Sequence, residues 1–307
     1  GPLAARRESP VMFARSLPWL IATVALCGTA LARDPTAPPT RVDPVVDTYH
    51  GVRVEDPYRW LENGADPAVR EWTARQSQRT RTYLDGLPFR ARLRAQLEAS
   101  IREASPRYFE LNAAGGQVFA RYFDPNRQQP MLRVLGMDLG PARARTVLDP
   151  NTLDPTGSTS IDWYVPSPDG KLVAVSLSRG GSEDGTLHLF DSESGARVGE
   201  VIPHVNFATG GGGLAWNRDG SGFWYTRYPG EERPEADRHF YVQVYFHELG
   251  TDPAKDARVF GDGLPRIAEI LLDYSHAADA LLVSVQNGDG GEFSHWVSGR
   301  DGRFVQV

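Results

Sequence analysis

Two hydrophobic rhythms divide the chain. Between residues 66 and 104 apolar positions recur at helical spacing, and beyond about Ala104 short apolar runs alternate with turn residues instead. Asp66-Pro67 predicts a helix start, an N-cap followed by proline at the first helical position. Val69, Trp72, Tyr83 and Leu84 supply that helix with an apolar face, and Gly86 predicts its end. A second helix is predicted from near Pro88. Phe89, Leu93, Leu97 and Ile101 recur at i, i+4 there, with arginines in the gaps.

The strand-rich part repeats itself. A turn followed by an apolar strand occurs at 113–120, 167–176, 217–226 and 275–284, with offsets of 54, 50 and 58 residues. Ser167-Pro168-Asp169-Gly170 followed by Leu172-Val173-Ala174-Val175 is the clearest copy. Apolar runs such as Thr186–Phe190 and Tyr241–Phe246 lie between the copies. A repeat of this length accommodates one four-stranded blade, so the pattern predicts a mostly β chain holding about four blades of a β-propeller. A β-sandwich with similar turns fits the repeat less well.

Charge and composition narrow the functional classes. The 307 residues carry a formal net charge of −6, which argues against a nucleic-acid partner. Thirty-one glycines and 23 prolines fit a chain of many turns. Met12, Arg15, an apolar run from Leu17 to Leu26 and Ala30-Leu31-Ala32 form the pattern of a signal peptide cleaved after Ala32. The expected destination is export, periplasmic or extracellular, without a membrane partner after cleavage. The single cysteine, Cys27, falls inside that signal, leaving no disulfide, thiolate or cysteine–metal chemistry in the mature chain. Residues 1–11 precede the signal and read as a tag or a misassigned start.

Candidate chemistry is sparse. No G-x-S-x-G nucleophile elbow occurs, and the seven histidines include no H-E-x-x-H pair. Each histidine is expected at the surface or at a strand edge. Gly210–Gly213 lacks the Lys-Ser/Thr of a phosphate loop and reads as an inter-blade connection. Asn287–Glu292 departs from the calcium-loop pattern and reads as a hairpin turn. No catalytic residue, metal ligand or cofactor site is predicted in this chain.

Asp56-Pro57-Tyr58-Arg59-Trp60-Leu61-Glu62 resembles the N-terminal signature of the prolyl oligopeptidase family. Two helices and then blades follow it, which is the family's order. Leu214-Ala215-Trp216 through Asp219-Gly220-Ser221-Gly222-Phe223-Trp224-Tyr225 resembles the family's W-x-x-D-G-x-G-x-x-Y strand, and His247-Glu248-Leu249-Gly250-Thr251 its H-x-L-G-T turn. The resemblance runs over roughly residues 43–307.

The resemblance implies a serine endopeptidase cleaving short proline-containing peptides, with a seven-bladed propeller that restricts access to an α/β-hydrolase domain. Residues 33–104 would be the N-terminal helical segment belonging to that peptidase domain, and 105–307 a partial propeller. The Ser/Asp/His triad would lie in the C-terminal part of the hydrolase domain, outside this chain, leaving the chain inactive by itself. Val205-Asn206-Phe207 is similar to a cavity-facing family segment, which nominates Phe207 for substrate contact by stacking; a core position between blades is the other reading. A stand-alone propeller that binds peptides or a protein partner is the alternative to the enzyme.

Overall fold

The computed structural model describes residues 37–205, 212–299 and 301–307. The expected signal peptide, its cleavage site and Cys27 lie outside them. The chain divides into two compact units, one ending at Leu97 and the other running from Glu98.

In the first unit, β1 (Val45–Tyr49) and β2 (Val52–Asp56) form a two-stranded antiparallel hairpin. His50 and Gly51 turn the chain with φ of 50° and 83°. Helix α1 runs Pro67–Asp85, and its Asp66 cap accepts from the Ala68 amide at 2.8 Å. Gly86 closes it in right-handed geometry (φ −77°), so the stop needs none of glycine's left-handed freedom. Helix α2 covers Arg90–Arg102 and runs from the first unit into the second. Its stripe of Leu93, Leu97 and Ile101, with Phe89 just ahead of it, is about half exposed.

Among the described residues, the second unit contains four antiparallel sheets of four strands each. Blade 1 is β3 (Arg107–Ala114), β4 (Gln117–Phe123), β5 (Met131–Gly136) and β6 (Arg145–Leu148). Blade 2 is β7 (Thr159–Pro166), β8 (Leu172–Arg179), β9 (Thr186–Asp191) and β10 (Arg197–Ile202). Blade 3 is β11 (Leu214–Trp216), β12 (Gly222–Arg227), β13 (Gln243–Glu248) and β14 (Ala257–Phe260). Blade 4 is β15 (Ala268–Ser275), β16 (Ala280–Asn287), β17 (Phe293–Ser298) and β18 (Phe304–Gln306). Strands follow chain order within every sheet. This is the up-and-down blade of a β-propeller.

The repeated turn is the hairpin joining the first and second strands of each blade. In blade 2 the Asp169 carboxylate accepts from the Ser167 hydroxyl at 2.8 Å and the Lys171 amide at 3.0 Å. Gly170 then takes φ +71°. Blade 3 repeats the device with Asp219, which accepts from the Ser221 hydroxyl and amide, and with Gly220 at φ +72°. The Ser221 hydroxyl bond holds the Asp219 carboxyl below its ordinary range. The fourth copy lacks the glycine, and Asp279 takes the left-handed position at φ 54°. Aspartate tolerates that region better than most residues.

Burial is concentrated in layers between neighbouring sheets. Phe119, Leu132 and Val134 of blade 1 pack on Ile161, Val173 and Val175 of blade 2. Leu187, Leu189 and Ile202 of blade 2 meet Trp216, Phe223 and Tyr225 of blade 3. Val242 and Val244 meet Ile270, Leu281 and Val283 across the last boundary. Each fully buried large side chain contributes roughly 1.5–3 kcal/mol, so adjacent blades stabilise one another. No blade encloses a core of its own, as expected for stacked repeats.

Among the described residues, His247 departs furthest from the surface or strand-edge placement expected for the histidines. His247 is wholly buried, because its ring nitrogen Nδ1 has a partner inside, the Asp256 carboxylate at 2.9 Å.

Candidate functional site

The first strands of the four blades give the propeller two distinct ends. At one end the hairpin turns and the C-terminal ends of β3, β7, β11 and β15 line a cavity of about 630 Å³ that includes Trp216, Tyr274 and His276. At the other end, where β15 begins, loops of blades 2, 3 and 4 enclose a cavity of about 470 Å³. The second cavity holds the denser group of aromatic and charged side chains and is the candidate site.

Its walls come from the β8–β9 connection (Ser182, Glu183, Asp184), the long β12–β13 connection (Tyr228 and His239–Val242) and the approach to β15 (Arg266–Glu269). These loops are fastened to one another. His204 Nδ1 lies 2.8 Å from Asp184 Oδ1, and the Tyr228 amide donates to the His204 carbonyl at 2.9 Å. The Tyr241 amide donates to the Arg266 carbonyl at 2.9 Å, joining blade 3 to blade 4. Tyr241 takes φ 58°, a left-handed backbone unusual for an aromatic residue. Such strain concentrates at functional sites, where surrounding contacts enforce it.

The aromatic wall is ordered by ring contacts. Tyr228 and His239 meet edge to face with centroids 5.5 Å apart. The Arg266 guanidinium lies 3.4 Å from the centre of the Phe240 ring, and Arg233 lies 3.9 Å from that of Tyr241. Arg266 is further held by Asp237, to which its Nε donates at 2.9 Å, and by the Ala236 carbonyl. Three carboxylates, Glu183, Asp184 and Glu269, stand against the one arginine on the lining, so the cavity is formally negative. Elsewhere, burial pushes the Asp162 carboxyl of β7 above its usual range, opposed by hydroxyl bonds from Ser178 and Ser176. Among the described residues no three metal-binding side chains gather.

Phe207, the residue nominated for substrate contact, lies outside the described residues. Val205, two positions before it, is wholly buried in the layer between blades 2 and 3. Sequence reasoning missed Tyr228, His239, Phe240, Tyr241 and Glu269. The three aromatics within His239–Tyr241 were a visible signal, in a connection too long for a tight hairpin. Glu269 was visible only as a charge within an otherwise apolar strand start.

Four chain-ordered blades with a loop-built cavity at one end define a propeller domain. Residues 38–306 match the family model described as the N-terminal β-propeller domain of prolyl oligopeptidase. The chain belongs to the prolyl oligopeptidase family. It is 31% identical over 238 residues to a prolyl endopeptidase of Elizabethkingia meningoseptica, covering 75% of this chain and 32% of that protein. It is 28% identical over 300 residues to prolyl oligopeptidase A of Galerina marginata, covering 86% of this chain and 39% of that one. A prolyl endopeptidase structure solved for inter-domain dynamics superposes with a TM-score of 0.76 at 28% identity, covering 88% of this chain and 39% of that chain. Prolyl oligopeptidase B of Galerina marginata, bound to a 35mer hydrolysis and macrocyclization substrate, gives 0.72 at 25% identity, covering 88% and 41%. The chain spans about a third of the length of the curated relatives it matches.

Proposed function

We propose that the chain is the N-terminal and propeller part of an exported, proline-specific serine endopeptidase acting on short peptides. The observation that carries this is the family match across 38–306, joined to the loop-built cavity at one end of the blades. In this reading the nucleophilic serine, its histidine and its aspartate come from an α/β-hydrolase part outside this chain. The half-exposed stripe of Phe89, Leu93, Leu97 and Ile101 supports that reading, since it offers an apolar face for such a domain. The propeller is completed by further blades and gates the active site by size. Phe207 stacks on the peptide, a role drawn from the family resemblance of Val205-Asn206-Phe207. The Ala30-Leu31-Ala32 pattern supports export.

The test is turnover by the full-length protein of an N-blocked Gly-Pro chromogenic peptide. Cleavage after proline, blocked by a serine-reactive fluorophosphonate and absent on folded protein substrates, is the expected result. Peptide binding without any turnover would instead identify a propeller binding module. Phe207→Ala is expected to raise KM on extended peptides and leave kcat nearly unchanged.

A further inference from the structure

Glu269 is the second residue of β15, between Ala268 and Ile270, which are both buried against blade 3. It lines the 470 Å³ cavity and is only 9% exposed. Its Oε1 is buried and has no hydrogen-bond partner among the described residues. A buried carboxylate oxygen without a donor is costly, so nearly all such groups in folded proteins are paired. No cation among the described residues donates a hydrogen bond to this oxygen. Arg266 gives its Nε to Asp237 and an Nη to the Ala236 carbonyl. His204 is engaged by Asp184. The opposite residue on β16 is Gln286, and it too leaves this oxygen without a hydrogen bond.

We propose that Glu269 makes this cavity a subsite for a cationic group of the bound peptide, the ammonium of a lysine or the guanidinium of an arginine. The occupant's charged end meets the carboxylate, and its methylene stem lies along the aromatic wall of Tyr228, Phe240 and Tyr241. A neutral side chain of the same length fills the space and leaves the carboxylate oxygen unpaired, which is how a buried polar group discriminates between ligands. The formally negative lining favours the same occupant. Glu269 is thus a specificity-determining residue, and the proposal rests on the peptidase reading above.

The experiment uses the full-length protein and acetylated Ala-Ala-Ala-Pro p-nitroanilides in which one alanine at a time is replaced by lysine or by norleucine, its uncharged counterpart. At one of the three positions kcat/KM should favour lysine by roughly tenfold, equivalent to ~1.4 kcal/mol. In Glu269→Gln the lysine-to-norleucine ratio should fall close to one. Glu269→Leu should favour norleucine, and thermal melting of both variants shows that they fold. A wild-type ratio near one at every position, or an unchanged ratio in Glu269→Gln, overturns the proposal. If no peptide is cleaved, the peptidase reading fails by itself. Calorimetric titration of the same peptides then decides the subsite: lysine binding tighter in wild type and not in Glu269→Gln supports it, and any other result overturns it.

Discussion

The Tyr164 hydroxyl, carried on the first strand of blade 2, donates to the Phe119 carbonyl of blade 1 at 3.0 Å. It also reaches the Glu110 carbonyl, beside the bulge in β3 between Phe109 and Asn112. The bulge turns a backbone oxygen out of the ladder, and the neighbouring blade supplies its donor. Tyr164→Phe removes the donor and keeps the ring. The expected loss is about 1–2 kcal/mol in urea unfolding, with an unchanged denaturant slope if the blades still unfold together.

Burial raises the hydroxyl pKa values of Tyr164 and Tyr225 well above the ordinary phenol range. In the unfolded chain both ionise near pH 10. A folded pKa above the unfolded one gives stability that is complete below about pH 10 and declines as pH rises through the folded value. Unfolding midpoints followed from pH 8 to 11 should therefore fall at the alkaline end. The fall should be shallower in the Tyr164→Phe/Tyr225→Phe double variant, and an identical slope in both proteins would count against the linkage.

The blades were readable because their hairpin turns carry the chemistry of the turn itself. Asp169-Gly170 and Asp219-Gly220 each combine a side-chain acceptor with a left-handed glycine. The hairpin of β1 and β2 went unread because its apolar residues cover no face. Val45, Val46, Val52 and Val54 are all substantially exposed, so no alternation marks them. The cavity residues were hidden for another reason. Tyr228, Tyr241 and Glu269 are separated in sequence and meet only where loops of blades 3 and 4 converge. The burial of His247 depended on Asp256, which lies beyond an intervening turn and in no recognised motif.

Gly115 predicts a second inter-blade failure. Its amide donates to the Pro168 carbonyl at 3.2 Å, locking the blade 1 hairpin onto the blade 2 turn. It takes φ +56°, and a Cβ built there would overlap the Asp169 backbone carbonyl. Neither backbone can yield without breaking a hairpin. Gly115→Ala should destabilise by at least about 2 kcal/mol. Gly116→Ala meets open space and should cost less, from its positive φ alone. Equal melting temperatures for the two variants would refute the interlock.

The strongest single loss is expected at Asp256. Its side chain is 2% exposed and accepts two bonds, one from the Tyr225 hydroxyl at 2.7 Å and one from His247 at 2.9 Å. A carboxylate only accepts, which places a proton on His247 Nδ1. Asp256 thus fastens the turn before β14 to β12 and β13 inside one blade. Asp256→Ala leaves two buried donors unanswered and should cost about 3 kcal/mol or more. Glu200 is a useful contrast. It sits at the β10 bulge of the adjacent blade, with its Oε2 3.6 Å from His247 Nε2, too far for a hydrogen bond. Glu200→Gln, which keeps the side chain's shape and breaks no hydrogen bond to His247, should cost less than Asp256→Ala. A double-mutant cycle between His247→Phe and Asp256→Ala should return a coupling of roughly 1–3 kcal/mol, and the same cycle with Glu200→Gln close to none. Coupling of equal size in both cycles would mean that His247 is held between blades rather than within one.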